Sequence, residues 1–189
     1  MEKGLIIILT GASSVGKGKI RKLLMDDADL KLFYSISVTT RPQKEGEIDG
    51  VDYYFVDHKT FAESVKNKEL LEYTEFNGYY YGTPLQNVEF LVNKGKNVLI
   101  ETESQGVGQI KLMKPESLAF FVLPKDIEEL ERQIRARYKD DEAGIKNRIS
   151  KAQMEMELAP LFRHCVNNED LDESYAYIKK TILEAMGEK

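Results

Sequence analysis

The stretch LIIILTGASSVGK, residues 5–17, joins a short apolar run to a loop that contains two glycines. The run Leu5 to Leu9 is continuous and rich in β-branched residues, so it predicts a strand that is buried on both faces of a parallel sheet. The loop Gly11 to Lys17 then leads into an amphipathic segment. Glycines let several backbone N–H groups face one anion, and a helix N-terminus adds partial positive charge. We therefore predict a phosphate-binding loop, with Lys17 as its cation. The alternative is a tight strand-to-helix turn that carries an exposed lysine.

Apolar runs alternate with amphipathic segments along the rest of the chain. Val98 to Ile100 and Leu118 to Leu123 are continuous like the first run, whereas Ile127, Leu130 and Ile134 recur at helical spacing. Alternation of this kind is typical of an α/β protein with a parallel sheet. The sequence therefore predicts the α/β class.

Two stretches interrupt this alternation. Residues 34–83 are rich in tyrosine and carry turn signals such as Asp49-Gly50 and Asn77-Gly78, so we predict a mostly β insertion with its own ligand. Residues 138–144 are polar and lie between two predicted helices, which indicates a short mobile lid. The predicted division is then a core over 1–33, 84–137 and 145–189, interrupted by the insertion and the lid.

The bulk composition excludes several classes of protein. The chain has 189 residues, a formal net charge of −5 and a single cysteine, Cys165, which we interpret as a buried small side chain. An acidic balance disfavours a nucleic-acid partner, and one cysteine allows no internal disulfide. The apolar runs are too short for a signal sequence or a membrane span. We expect a cytoplasmic protein, either a monomer or a homodimer, that binds neither nucleic acid nor a membrane.

Beyond the loop, the chain resembles the guanylate kinases, a family of P-loop nucleoside monophosphate kinases, along nearly its whole length. The resemblance implies a three-layer P-loop kinase core and transfer of the γ-phosphoryl group of ATP to GMP. The order and spacing of the matching segments are more specific than a phosphate-binding loop alone. These segments are Gly11–Gly18, Thr39–Arg41 with Gly46-Glu47 and Asp52-Tyr53, Glu72 with Tyr80–Thr83, Glu101–Gly106, and Arg137 with Arg148.

The resemblance also implies the residues that bind GMP. Guanine presents N1–H and N2–H₂ donors on one edge, and a carboxylate accepts from both, which is the role it gives to Glu72. Cations and hydroxyl groups suit the phosphate of a monophosphate. Lys44 stands where the family usually has arginine, so we expect somewhat weaker phosphate binding. The predicted GMP-binding residues are Ser37, Arg41, Lys44, Tyr53, Glu72, Tyr81, Thr83 and Glu103.

On the donor side, the resemblance implies ATP together with Mg²⁺. Glu101 ends a predicted buried strand and would orient metal-bound water, and Asn168 matches a family position near the adenine. The predicted catalytic residues are Lys17, Arg41, Arg137 and Arg148. The predicted ATP-binding residues are Gly11, Ala12, Ser13, Ser14, Val15, Gly16, Lys17, Gly18, Lys19 and Asn168.

The sequence departs from the family in the ATP half of the site. Gly18 and Lys19 follow Lys17, so neither position carries the hydroxyl that usually contacts Mg²⁺. Gln133 stands where the family has an arginine, and Tyr138-Lys139 replaces its usual Gly-Thr pair. We therefore expect ordinary GMP affinity with reduced turnover.

Two other functions remain open from the sequence. The first is a guanylate-kinase-like module that binds GMP or a partner protein without catalysis, which Lys19 and Gln133 favour. Intact Gly11, Gly16 and Lys17 argue for the enzyme instead. The second is another nucleoside monophosphate kinase, which the Thr39–Arg41 and Tyr80–Gly82 motifs disfavour.

Overall fold

The chain forms a central parallel sheet and a smaller second sheet. The computed structural model describes residues 3–138 and 142–187, so the segment 139–141 of the predicted lid lies outside the described residues. The strands are β1 Ile6–Gly11, β2 Leu32–Tyr34, β3 Val38–Thr39, β4 Tyr54–Phe55, β5 Leu70–Phe76, β6 Tyr79–Pro84, β7 Asn97–Glu101, β8 Leu118–Leu123 and β9 His164–Asn167. The helices are α1 Lys17–Asp26, α2 His58–Lys66, α3 Leu85–Asn93, α4 Ser104–Met113, α5 Ile127–Arg137, α6 Glu142–Met156 and α7 Leu171–Gly187, with a short 3₁₀ helix at Ala159–Leu161.

The central sheet has the order β2-β7-β1-β8-β9, with every neighbouring pair parallel. Strand β1 is buried along its whole length because helices cover both faces of the sheet. Ile7 and Leu9 pack into a core with α1, α5, α6 and α7, whereas Ile6 and Ile8 pack on the other face with α3 and α4. This explains why the β1 sequence is continuously apolar rather than alternating. The predicted α/β class with a parallel sheet is confirmed.

The smaller sheet has the order β4-β3-β6-β5 and lies within the stretch that the sequence marks as an insertion. Strands β5 and β6 form an antiparallel hairpin, whose turn residues Asn77 and Gly78 both have positive φ, 52° and 77°. A two-residue turn with both residues left-handed matches the twist of a hairpin, and Asn-Gly adopts it readily. Tyr34 ends β2 of the central sheet, so the second sheet begins beyond it. The division into core, insertion and lid remains a prediction.

Two smaller observations complete the fold. The side chain of Cys165 is exposed on β9, so the interpretation of a buried cysteine is wrong: Phe121, beside it on β8, is fully buried, whereas Cys165 lies on the edge strand with one side open to solvent. Across the two described segments, the helices lack the combination of length and apolar character that crossing a bilayer requires.

Candidate active site

The loop after β1 follows the carboxyl edge of the central sheet, and two of its positions require glycine. Gly11 has φ 132°, and a Cβ built there would lie 2.2 Å from the carbonyl oxygen of Val122 on β8. Gly16 has φ 91° and is the N-cap of α1, and a Cβ there would lie 2.5 Å from the Asn168 side-chain nitrogen. Both glycines therefore let the loop approach neighbouring strands closely in a left-handed conformation.

Lys17 is the first residue of α1 and turns back over the loop. Its ammonium donates to the carbonyl oxygens of Gly11, at 2.5 Å, and Ala12, at 2.8 Å. Ser14 has φ 69°, and its hydroxyl is buried without a hydrogen-bond partner among the described residues. A strained residue with an unsatisfied hydroxyl is expected where a ligand completes the site. Lys19, two residues further along the first turn of α1, is exposed.

Asn168 follows β9 and contacts the loop backbone. Its amide donates to the carbonyl oxygen of Val15 at 2.8 Å, and its own oxygen is buried without a partner in the described chain. The asparagine therefore supports the loop directly, a contact between residues 153 positions apart that the sequence does not reveal.

Glu72 on β5 is 3% exposed and forms the polar centre of a second part of the site. Its carboxylate accepts a hydrogen bond from the hydroxyl of Thr83, at 2.6 Å, and another from the hydroxyl of Thr102, at 2.8 Å. Gly106 on α4 gives it room, since a Cβ there would lie 2.3 Å from the carboxylate. Burial raises the pKa of Glu72, and the two hydroxyl bonds oppose the shift. Thr83 is among the residues predicted from the sequence, whereas Thr102 is not.

Glu103, the N-cap of α4, meets Glu155 of α6. Burial raises the pKa of Glu155 to about 7, and contact with the Glu103 carboxyl adds to the shift, whereas Lys151 and Lys17 oppose it. One oxygen of Glu155 is buried without a partner within the described residues. Glu155 is half-buried on a helix that looks amphipathic in sequence, so no local motif distinguishes it.

Arg41 and two tyrosines form the third part of the site. Arg41 binds the Glu47 carboxylate through both terminal nitrogens, at 2.8 and 3.0 Å, and its guanidinium carbon lies 5.4 Å from the centre of the Tyr53 ring. The rings of Tyr53 and Tyr81 meet edge-on at 6.0 Å. The hydrogen bonds from Arg41 hold the pKa of Glu47 below its usual range.

Two further predicted GMP-binding residues, Lys44 and Ser37, make backbone hydrogen bonds with residues of this part of the chain. The side chain of Lys44 is exposed, and its backbone N–H donates to Glu47 at 2.8 Å. Ser37 accepts a backbone hydrogen bond from Tyr54 at 2.9 Å, which fixes the strand beside Tyr53. Glu47 belongs to the Gly46-Glu47 segment that matches the family, but its pairing with Arg41 could not be predicted from the sequence.

Glu101 ends β7 beside Leu9 of β1, next to the phosphate-binding loop. Its carboxylate pairs with Arg21 of α1 at 3.1 Å, and Arg21 also donates to the Tyr34 hydroxyl at 2.9 Å. Burial, with a smaller effect of Glu101, raises the pKa of Tyr34 to about 12. Within residues 3–138 and 142–187, no three His, Cys, Asp or Glu side chains cluster closely enough to hold a metal by themselves. A cation here would therefore need ligands from a phosphate and water.

Arg137 and Arg148, two predicted catalytic residues that flank the predicted lid and are called the lid arginines below, meet at Tyr138. The guanidinium carbon of Arg148 on α6 lies 3.9 Å from the centre of the Tyr138 ring, and that of Arg137 lies 5.5 Å from it. The Tyr138 hydroxyl lies 3.4 Å from the hydroxyl of Ser13 in the phosphate-binding loop. Gln133 instead donates to Glu129 on its own helix at 2.6 Å.

A phosphate-binding loop at the carboxyl edge of a parallel sheet, together with a small sheet that carries a buried carboxylate bonded to two hydroxyls, defines a P-loop nucleoside monophosphate kinase. The family model described as Guanylate kinase matches residues 3–185. The chain belongs to the guanylate kinase family.

Individual relatives agree over most of their length. The guanylate kinase of Bacillus anthracis is 41% identical over 181 residues, which cover 96% of this chain and 88% of that protein. A guanylate kinase of Thermus thermophilus is 44% identical, over 92% of this chain and 78% of that one. The crystal structure of guanylate kinase from Anaplasma phagocytophilum superposes with a TM-score of 0.77 at 31% identity, over 100% of this chain and 89% of that one.

The raised pKa of Glu155 predicts a specific dependence of stability on pH. An unfolded glutamate titrates near about 4.3, so between that pH and about 7 the folded protein binds up to about one proton more than the unfolded chain. The free energy of unfolding should therefore fall as the pH rises through this window. In Glu155→Gln the decline should be smaller, as measured by urea unfolding from pH 5 to 8. Glu157→Gln, an exposed neighbour, is the control. Identical pH profiles for Glu155→Gln and the wild type would contradict the shift.

Proposed function

We propose that this protein transfers the γ-phosphoryl group of ATP to GMP, giving ADP and GDP. The observation that carries the proposal is the buried carboxylate of Glu72, held by two hydroxyl groups beside the phosphate-binding loop of a guanylate kinase fold. A carboxylate suits a ligand edge that carries hydrogen-bond donors. Guanine has such an edge.

Recognition of guanine would fall to Glu72 and Glu103, with Thr83 beside them. The N1–H and N2–H₂ groups of guanine would donate to these carboxylates. Adenine offers an acceptor nitrogen at the equivalent place, which a carboxylate repels. The contact between Glu155 and Glu103 supports the same assignment, because an N–H donor of guanine could replace Glu155 as the partner of Glu103.

The phosphate of GMP would bind to Arg41, Tyr53 and Tyr81, with Ser37 and Lys44 at the edge of the cluster. Arg41 is already oriented by Glu47, so its guanidinium loses little conformational freedom when an anion arrives. Exposed Lys44 contributes charge without the two-pronged geometry of arginine.

The phosphates of ATP would bind to residues 11–19, with Lys17 as the cation and Asn168 as a support for the loop. Mg²⁺, when bound with ATP, supplies charge neutralisation of the transferring phosphoryl group. Its ligands would be phosphate oxygens and water, with Glu101 orienting water from the end of β7, because Glu101 lies next to the loop. Arg21 pairs with the Glu101 carboxylate and would therefore restrict how far that carboxylate can move toward the water.

Phosphoryl transfer needs positioning and charge more than a protein base. That charge would come from Lys17, Arg41, Arg137 and Arg148. The proposed lid at 138–144 would close over the core and the insertion at 34–83. The catalytic function is better supported than a binding module, because Gly11, Gly16 and Lys17 keep the geometry of a working loop. A cytoplasmic location and a monomeric or homodimeric state remain predictions.

Replacing Lys17 with alanine tests the donor half of the site. We expect the turnover rate with ATP and GMP to fall at least about a hundredfold, because the transition-state charge loses its cation. GMP affinity should remain nearly unchanged in calorimetry. Lys22→Ala, which removes an exposed lysine from the same helix, is the control. If Lys17→Ala kept most of its activity, the loop would be structural only.

Replacing Glu72 with glutamine tests the acceptor half. The hydroxyls of Thr83 and Thr102 can rotate to accept, so the fold should tolerate the amide. GMP affinity should fall by about 1–3 kcal/mol, since one acceptor becomes a donor. Glu75→Gln, on the exposed face of the same strand, should leave it unchanged. Calorimetry that finds equal GMP affinity in Glu72→Gln and wild type would remove Glu72 from the guanine site.

Turnover should be limited by Lys19 and Gln133, since Lys19 is exposed and Gln133 is held by Glu129. The double variant Lys19→Thr with Gln133→Arg should raise the turnover rate at least about tenfold, which corresponds to about 1.4 kcal/mol of barrier. GMP affinity should stay the same, because both positions belong to the ATP half. Equal rates in the wild type and the double variant would show that the two residues are neutral.

A further inference from the structure

Tyr138 contacts both the phosphate-binding loop and the two lid arginines. It follows the last residue of α5, and its backbone N–H closes that helix by donating to the carbonyl oxygen of Ile134 at 3.0 Å. Its backbone is extended, with φ −113° and ψ 136°, so the chain leaves the helix at this residue. The ring is half-buried and packs against the core that contains Leu9 and Ile134. The position of the ring is therefore fixed by backbone and core together.

Both lid arginines lie on this ring. Arg148 is close, at 3.9 Å from its guanidinium carbon to the ring centre, and Arg137 is more distant, at 5.5 Å. Both distances fall within the range in which an aromatic ring attracts a cation, and a guanidinium stacks well on such a ring. Arg137 is the last residue of α5, whereas Arg148 lies near the middle of α6, so one side chain contacts residues of two helices.

The ring also lies directly above the phosphate-binding loop, since its hydroxyl is 3.4 Å from that of Ser13. The arginines stacked on it are therefore held near the place where the phosphates of ATP would lie. An arginine in solution samples many rotamers, and that freedom is lost when it grips a phosphoryl group. A ring that already restricts the side chain reduces this loss and pre-organises the charge.

We propose that Tyr138 is a positioning residue that holds Arg148 and Arg137 over the phosphate-binding loop before nucleotide binds. The inference rests on the proposed function, because it assigns these arginines to the transferring phosphoryl group. Gln133, which stands where the family has an arginine, cannot supply a further cation, because it is uncharged and bonded to Glu129. Because Gln133 replaces one arginine, the orientation of Arg137 and Arg148 matters more for catalysis.

Turnover measurements test the consequence of the stacking. Tyr138→Leu should lower kcat about tenfold with GMP affinity and melting temperature little changed, whereas Tyr138→Phe, which keeps the ring, should stay within about threefold of wild type. Tyr177→Leu, which removes an exposed tyrosine of α7, is the control. Equal kcat values for Tyr138→Leu and wild type would overturn the proposal, as would a Tyr138→Phe variant as slow as Tyr138→Leu.

A double-mutant cycle separates positioning from a general loss of structure. If Tyr138 acts through Arg148, Tyr138→Leu should cost about twofold or less in an Arg148→Lys background, because lysine does not stack in the same way. The same cost in both backgrounds would contradict coupling between the two side chains and overturn the proposal.

Chemical labelling tests the stacking without any turnover. Phenylglyoxal modifies accessible guanidinium groups, so Tyr138→Leu should raise the labelling rate of Arg148 several-fold in nucleotide-free protein. Arg132, whose side chain is 72% exposed, gives the internal reference by mass spectrometry. A wild-type protein that transfers no phosphoryl group would contradict the proposed function, and the labelling would then decide the positioning role alone. An unchanged rate of Arg148 labelling in Tyr138→Leu would overturn the positioning role of Tyr138.

Discussion

The parallel pairing of β1 with β7 on one side and β8 on the other determines where the donor half of the site lies. Leu9 pairs with Glu101, and Gly11 pairs with Val122, so the loop after β1 begins where both neighbouring strands end. Strand β9 pairs with β8 in the same direction, which brings Asn168 against Val15 and Gly16. Carboxyl ends of parallel strands always meet at one edge, and ligands of open α/β sheets bind there. Residues far apart in sequence thus reach one anion-binding edge.

The acceptor half depends on contacts that join the small sheet to this edge. Thr102, directly after β7, donates to Glu72 on β5 at 2.8 Å. Gln109 of α4 makes a pair of hydrogen bonds with the backbone of Tyr73, at 2.7 and 3.1 Å. Glu72 on β5 is therefore tied to the end of β7, the strand that also carries Glu101. The proposed guanine site and the proposed site of the ATP phosphates are therefore linked through residues at the end of β7.

Local features of the site could be predicted from the sequence, whereas long-range contacts could not. The loop from Gly11 to Lys17 is recognisable because its glycines, its lysine and the flanking apolar run are adjacent. The role of Glu72 comes from the resemblance to a family, since a lone glutamate on a strand is usually solvated. Its partner Thr102 lies 30 residues away, and no periodicity relates the two.

The errors and omissions have a similar origin. Cys165 is exposed because β9 is an edge strand, and the sequence of a strand does not state its place in the sheet. Glu155 looks like any polar residue on an amphipathic helix, and only its burial and its contact with Glu103 set it apart. The sequence marks Tyr138 as a departure from the family, but its contacts with both lid arginines become visible only once α5 and α6 are placed.

The central claim is that the two halves of the site act together on ATP and GMP. It is tested most directly by a coupled assay of ADP formation, with ATP and Mg²⁺ present and GMP, AMP, CMP or UMP added in turn. We expect phosphoryl transfer with GMP and a value of kcat/KM at least about a hundredfold lower with AMP, because the carboxylates would face an acceptor on adenine. Equal rates with AMP and GMP, or no transfer to GMP while GMP binds, would contradict it.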